Sequence, residues 1–224
     1  MPRALPRPIT YLITSGETSS ATGPESEEFR RLLALVRAAA EARVTLVQLR
    51  EKELTGRVLF ELASAAAQIT RGSETRVLVN DRADIARAAG CDGVHLTTSS
   101  LEVSTVRHVF GVEFLIGVSA HTFEEARAAD VGGADFAVFG PVFDTPSKRA
   151  FGPPVGLGAL TKAALELSPF PLVALGGVGE GEVEQVLRAG AAGVAGIRLY
   201  AHGQNLARIV HHIGRADSSL GCDE

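Results

Sequence analysis

Short runs of aliphatic and β-branched residues alternate along this chain with longer stretches whose apolar positions recur at helical spacing. The runs Ile9–Thr14, Val44–Arg50, Arg76–Asp81, Gly93–Thr97, Phe114–Ala120, Asp135–Pro141, Pro171–Gly177 and Gly193–Leu199 predict strands. Most lack polar alternation, as expected of parallel strands covered on both faces. The stretches Glu27–Ala42, Gly56–Arg71, Phe123–Val131, Leu157–Leu167 and Gly181–Ala189 predict helices between them. Strands that are each followed by helical sequence count out to a single-domain TIM (β/α)8 barrel. The related segments 89–94, 132–137 and 189–194 each place glycine where a helix ends and the next strand begins, a structural repeat rather than a ligand motif. A doubly wound sheet is the alternative, and it needs fewer strands.

Domain organisation follows from the same pattern. A flexible extension covers 1–8, the barrel 9–214 and a frayed tail 215–224, with a long polar first βα loop at 15–28. The length of 224 residues suits one such domain, and 46% hydrophobic residues suffice for a sizeable core. Lys+Arg 22 against Asp+Glu 26 leaves a net charge of −4, which argues against a nucleic-acid or anionic-membrane partner. Cys91 and Cys222 have neither metal-ligand spacing nor a disulfide framework, and the opening residues lack the apolar core of a signal peptide. A cytoplasmic setting is expected, and a homo-oligomer is compatible with the composition.

Barrels of this kind carry their chemistry at the C-terminal ends of the strands. There the second strand offers Gln48, Arg50 and Lys52, which strict alternation puts on one face, with Leu49 and Glu51 on the other. An amide, a guanidinium and an ammonium together form an anion receptor, and buried cations without partners favour an anionic ligand. Asn80-Asp81 ends the third strand; the pair can cap the next helix, or Asp81 can hold Mg2+ beside a bound diphosphate. After the sixth strand, Thr145, Ser147 and Lys148 surround Pro146, either as a ligand loop or as a Pro/Ser-rich turn. Gly176-Gly177 and Gly196 follow the seventh and eighth strands, where barrels bind phosphate on bare backbone amides and where tight turns also use glycine. His121 lies just past the fifth strand, before a Thr122/Glu125 capping box, and suits either a structural bond or proton transfer. His95 reads as packed inside the barrel, whereas His202, His211 and His212 read as surface residues.

The motifs Gln48-Leu-Arg-Glu-Lys52, Val79-Asn-Asp81, Gly93-Val-His-Leu96, Gly117-Val-Ser-Ala-His-Thr122, Gly140-Pro-Val-Phe-Asp-Thr-Pro-Ser-Lys148 and Ala174-Leu-Gly-Gly177 run in order along nearly the whole chain. Together they resemble the motif series of the thiamine phosphate synthase/TenI superfamily. The resemblance implies a small-molecule transferase that couples hydroxymethylpyrimidine diphosphate to thiazole phosphate. It implies that Gln48, Arg50, Lys52, Asn80, Ser119 and Lys148 hold the diphosphate, with Arg50, Lys52 and Lys148 stabilising the leaving group. Asp81 would bind Mg2+, and Thr145, Pro146, Ser147, Gly177, Ile197 and Arg198 would contact the thiazole phosphate.

Two positions depart from that pattern. After the fourth strand the synthase series carries a second metal-binding aspartate, and this chain has Ser100 there, a weaker ligand for a hard cation. Arg198 stands where the series has a small residue. The Ser-rich stretch at 97–100 is similar to the TenI branch, which implies a thiazole tautomerase with His121 as acid/base. A non-catalytic paralogue that binds thiazole or thiamine phosphate is the third reading. The retained Gln48 and Ser119, both on the diphosphate side, favour the transferase.

Overall fold

The computed structural model describes residues 5–144 and 153–220. Eight parallel strands close into one barrel in sequence order. They are β1 Ile9–Ile13, β2 Leu46–Leu49, β3 Arg76–Asn80, β4 Gly93–Leu96, β5 Leu115–Ala120, β6 Phe136–Phe139, β7 Leu172–Ala174 and β8 Gly193–Gly196. The helices outside are α1 Glu27–Glu41, α2 Gly56–Thr70, α3 Ala83–Ala88, α4 Val103–Phe110, α5 Phe123–Val131, α6 Gly156–Glu166, α7 Val183–Arg188 and α8 Leu206–Leu220. The expected (β/α)8 architecture is therefore the observed one. Among the described residues no helix is long and apolar enough to cross a membrane.

Several boundaries differ from expectation. Seven of the eight strands end earlier than expected, because the chain leaves the ladder as soon as it reaches the loops of the mouth, while β5 ends at Ala120 as expected. Gly181–Ala189 divides into a 3-10 turn over Glu180–Glu182 followed by α7. Residues 215–220, expected as tail, are the last turns of α8, a helix whose apolar stripe buries Leu206, Ile209 and Ile213. At the other end, Leu5 packs against the barrel interior rather than hanging free.

Alternation along each strand sorts the core into two shells. Leu12, Val47, Leu49, Val77, Val79, Val94, Ile116 and Val194 face outward and meet the helices. Ile9, Tyr11, Ile13, Leu46, Leu78, Phe136, Val138, Val173 and Ala195 point inward and fill the barrel. On the outside, half-buried Arg107 ties α4 to the base of β5 and β6. It donates to Asp135 Oδ2 at 2.8 Å and to the carbonyls of Gly133, Gly111 and Phe114.

One inner layer positions the site. The Phe136 ring meets the Tyr11 ring edge-on, with centroids 5.5 Å apart at 82°, and lies 6.3 Å from the His95 ring. Gly117 makes room for both, since a Cβ there would stand 2.4 Å from Phe136 Cζ and 2.9 Å from His95 Nδ1. Gly117→Ala is expected to lower stability by about 1–3 kcal/mol through overpacking. Urea unfolding read by far-UV circular dichroism checks this, and an unchanged midpoint would mean that the layer relaxes freely.

Candidate functional site

The mouth at the strands' C-terminal ends gathers most of the residues expected there. Gln48 lies on the inner face of β2 and is almost fully buried, its amide nitrogen donating to Tyr11 Oη at 2.8 Å. β2 ends at Leu49, and the Leu54 amide returns to the Glu51 carbonyl, so the chain turns here. Lys52 is therefore placed by a turn and not by the strand alternation that the sequence suggests. Arg50 is half-buried; its backbone amide donates to Thr14 Oγ1 at 2.8 Å, at the end of β1. Among the described residues, neither Arg50 nor Lys52 has an acidic partner within ion-pair distance.

Glu51 plays a part that alternation alone did not suggest. Its side chain is 3% exposed and accepts from Thr18 Oγ1 at 2.7 Å and from the Gly16 amide at 3.3 Å. These bonds hold the β1–α1 loop over β2, so that a Cβ on Gly16 would meet Arg50 O at 3.2 Å and Arg50 Nη1 at 3.6 Å. The buried carboxylate thus stands under the loop that flanks the guanidinium.

Asn80 closes β3 half-buried, and Asp81 follows with φ 63° in the left-handed region. The capping alternative is not realised: α3 has Arg82 as its N-cap and no side-chain capping bond. Asp81 is exposed, and among the described residues its carboxylate makes no hydrogen bond. Ser100 Oγ is engaged locally, accepting from the Thr97 amide at 2.7 Å and lying 3.0 Å from Thr97 Oγ1. No group of three or more His, Cys, Asp or Glu that could hold a metal occurs among the described residues. The donor chemistry fits a cation held by one carboxylate, its own waters and ligand oxygens, which is how Mg2+ commonly binds.

β5 brings Ser119 and His121 to the same rim. Ser119 Oγ lies 2.9 Å from His95 Nε2, and His95 Nδ1 lies 3.0 Å from Tyr11 Oη. Burial, with the Arg50 charge adding to it, pushes the His95 imidazole down to about 3, so the ring is neutral at pH 7. Burial also raises the Tyr11 phenol above its usual range, despite the bond from Gln48. His121 Nδ1 lies 2.5 Å from the Gly140 carbonyl. A carbonyl only accepts, so Nδ1 carries a proton and Nε2 is the exchangeable position. Thr122 caps α5 as expected by accepting from the Glu125 amide, but the Glu125 carboxylate reaches back to the His121 amide.

The loops after β6, β7 and β8 form the opposite side. Gly176 and Gly177 have φ of 95° and 67°. A Cβ on them would come within 2.4 Å of Pro141 Cβ and 2.6 Å of Phe143 Cβ, so both positions demand glycine for conformation and for space. The two loops are also stitched by Val142 N to Leu175 O and Phe143 N to Gly176 O. Thr145, Pro146, Ser147 and Lys148 lie outside the described residues. On the far side of that segment, the amides of Val155 and Gly156 return to the carbonyls of Pro141 and Val142.

Gly177, Val178, Gly196, Ile197 and Arg198 line a cavity of about 790 Å3 between the β7 and β8 loops. A neighbouring hollow of about 660 Å3 runs under the β1–α1 loop past Thr18, Glu51, Ile197 and Tyr200. Ile197 borders both cavities, and the Arg50 side chain lines neither. The Gly179 amide is taken by Glu182 Oε2 at 2.9 Å. His202, His211 and His212 are exposed as expected, with His212 Nε2 lying 3.1 Å from the Glu180 carbonyl.

Fold and rim define a (β/α)8 barrel whose mouth carries Arg50 and Lys52 after β2 and the glycine-rich turns after β7 and β8. The pattern of the thiamine monophosphate synthase family matches residues 13–199, and the chain belongs to that family. The thiamine-phosphate synthase of Moorella thermoacetica is 42% identical over 166 residues, which span 74% of this chain and 79% of the relative. That of Roseiflexus castenholzii is 35% identical over 194 residues, 87% of this chain and 85% of the relative. The solved thiamine phosphate pyrophosphorylase from Pyrococcus furiosus superposes with a TM-score of 0.74 at 28% identity, covering 92% of this chain and 96% of its own.

Because the folded pKa of His95 lies below the free value, the unfolded state takes up the proton first as pH falls, and stability drops with acid. In urea titrations between pH 6 and pH 4, the stability gap between wild type and His95→Asn is expected to narrow by about 1.4 kcal/mol per pH unit. A constant gap would show that His95 protonates normally.

Proposed function

We propose that this protein is a thiamine-phosphate synthase: it joins hydroxymethylpyrimidine diphosphate to thiazole phosphate and releases diphosphate. The observation that carries the reading is the identity to proteins of that name over 74% to 87% of the chain, on a barrel whose rim carries cations without an acidic partner among the described residues and a glycine-lined cavity. The C–O bond between the pyrimidine methylene and the diphosphate breaks, the oxygen keeps the electron pair, and positive charge develops on the carbon. The thiazole nitrogen then supplies the pair for the new C–N bond.

This chemistry asks the protein for stabilisation of the leaving group and alignment of two substrates, with no base on the nucleophile. Arg50, Lys52 and Lys148 take up the charge growing on the diphosphate, while Asn80 and Ser119 orient it; Gln48, expected beside them, spends its amide nitrogen on Tyr11. The thiazole phosphate sits in the cavity of Gly177, Ile197 and Arg198, with Thr145, Pro146 and Ser147 from the neighbouring loop. Asp81 would hold Mg2+, which would supply charge neutralisation for the leaving diphosphate. The site suits small anionic substrates, and a cytoplasmic enzyme accords with them.

A second reading rests on His121. Its Nδ1–H is fixed on Gly140 O, which frees Nε2 for proton transfer as a thiazole tautomerase would use it.

Incubation of the purified chain with both substrates and Mg2+ is expected to yield thiamine phosphate and diphosphate in equal amounts. No product, with His121-dependent isomerisation of the thiazole carboxylate phosphate, would shift the assignment to the tautomerase. Arg50→Ala is expected to lower kcat about 10²–10³-fold, the loss typical of removing one preorganised donor. A near-normal rate would exclude Arg50 from leaving-group binding. Ser100→Asp should lower the Mg2+ concentration needed for half-maximal rate, because a carboxylate binds a hard cation better than a hydroxyl. An unchanged requirement would place Ser100 away from the ion.

A further inference from the structure

Three polar side chains occupy a barrel interior that is otherwise filled by aliphatic and aromatic groups. Gln48, Tyr11 and His95 are 1%, 0% and 2% exposed. Polar groups at that depth are costly unless they are bonded. Here they form a line that ends on Ser119, the one member that is only half-buried, at the C-terminal end of β5.

With the Gln48 amide nitrogen facing Tyr11 Oη, the protons along this line run in one direction. The amide nitrogen of Gln48 can only donate, so it uses a lone pair of Tyr11 Oη at 2.8 Å. The single phenolic proton is then left for His95 Nδ1 at 3.0 Å. A neutral imidazole that accepts at Nδ1 carries its proton on Nε2, which donates to Ser119 Oγ at 2.9 Å. The serine's own proton therefore has nowhere to go along the line. It is left for an acceptor outside the line.

We infer that Tyr11 and His95 are positioning residues that commit the Ser119 hydroxyl to donation toward an anionic oxygen of the bound diphosphate. The aromatic layer locks the arrangement, since Phe136 packs edge-on against Tyr11 and Gly117 leaves no slack beside the imidazole. An unconstrained serine divides its time between donating and accepting, whereas one that already accepts from a buried N–H is preset for an anion. The identity of that anion rests on the synthase reading, but the direction of the chain does not.

Two measurements on the full chain separate these parts. Long-range 1H–15N spectra of histidine-labelled protein at pH 7, with the His95 signals identified by their loss in His95→Asn, are expected to show the Nε2–H tautomer. An Nδ1–H tautomer would overturn the inference, because Ser119 would then donate to His95. In kinetics, Tyr11→Phe keeps the serine but frees the imidazole, and is expected to lower kcat about tenfold with KM for thiazole phosphate unchanged. Adding Ser119→Ala to Tyr11→Phe should cost much less than Ser119→Ala alone, and full additivity would overturn the inference. His95→Gln, whose amide can still donate, should retain more activity than His95→Leu. Where a variant fails to fold, the wild-type tautomer decides. If the wild type makes no thiamine phosphate, the synthase reading fails while the tautomer still tests the chain.

Discussion

A closed barrel of eight strands has an interior that no solvent reaches, so the residues alternating inward must fill it and satisfy each other. In this protein that constraint is met near the mouth by Tyr11, Gln48, His95 and Phe136, packed around Gly117. The layer does two jobs. It closes the core below, and it passes a directed hydrogen bond to Ser119 at the rim above. Two rim groups depend on it directly: Arg50 stands one residue beyond β2, and Ser119 lies in β5 two residues after Gly117.

Outside the barrel, charge is arranged by a different rule. Arg107 and Asp135 pair where the base of the barrel is sealed, and Asp92 accepts from Arg76 and from the Val77 amide. At the mouth, Arg50 and Lys52 face no carboxylate within ion-pair distance among the described residues, while Glu51, their immediate neighbour, turns away to hold the β1–α1 loop. Partnered ions serve the structure, and the unpartnered ones stay available for a ligand. A chain of net charge −4 thereby presents a locally cationic opening.

Much of this was legible in the residue order. Near-continuous aliphatic runs marked buried parallel strands, and repeated glycines at the helix ends marked the returns to the sheet. The rule that barrel chemistry sits at strand ends then selected Gln48, Arg50, Asn80, Ser119 and Gly177. Tyr11 escaped notice, although its alternation with Ile9 and Ile13 places it inward and a phenol there needs a partner. Glu51 escaped because strict alternation treats it as the residue opposite Arg50; the β1–α1 loop that it holds is distant in sequence. Asp81 could be read as a cap or as a ligand, and the backbone excludes the cap, since its left-handed conformation takes it out of the N-cap position of α3.

Sequence by itself determined the architecture, the family and the chemical types at the rim, because periodicity and short motifs are local properties of the chain. Tertiary structure alone decided which polar groups are spent on one another and which remain for a ligand. Hydrogen-bond direction, tautomer and burial depend on atoms brought together from β1, β2, β4 and β5, and no window of sequence contains them all.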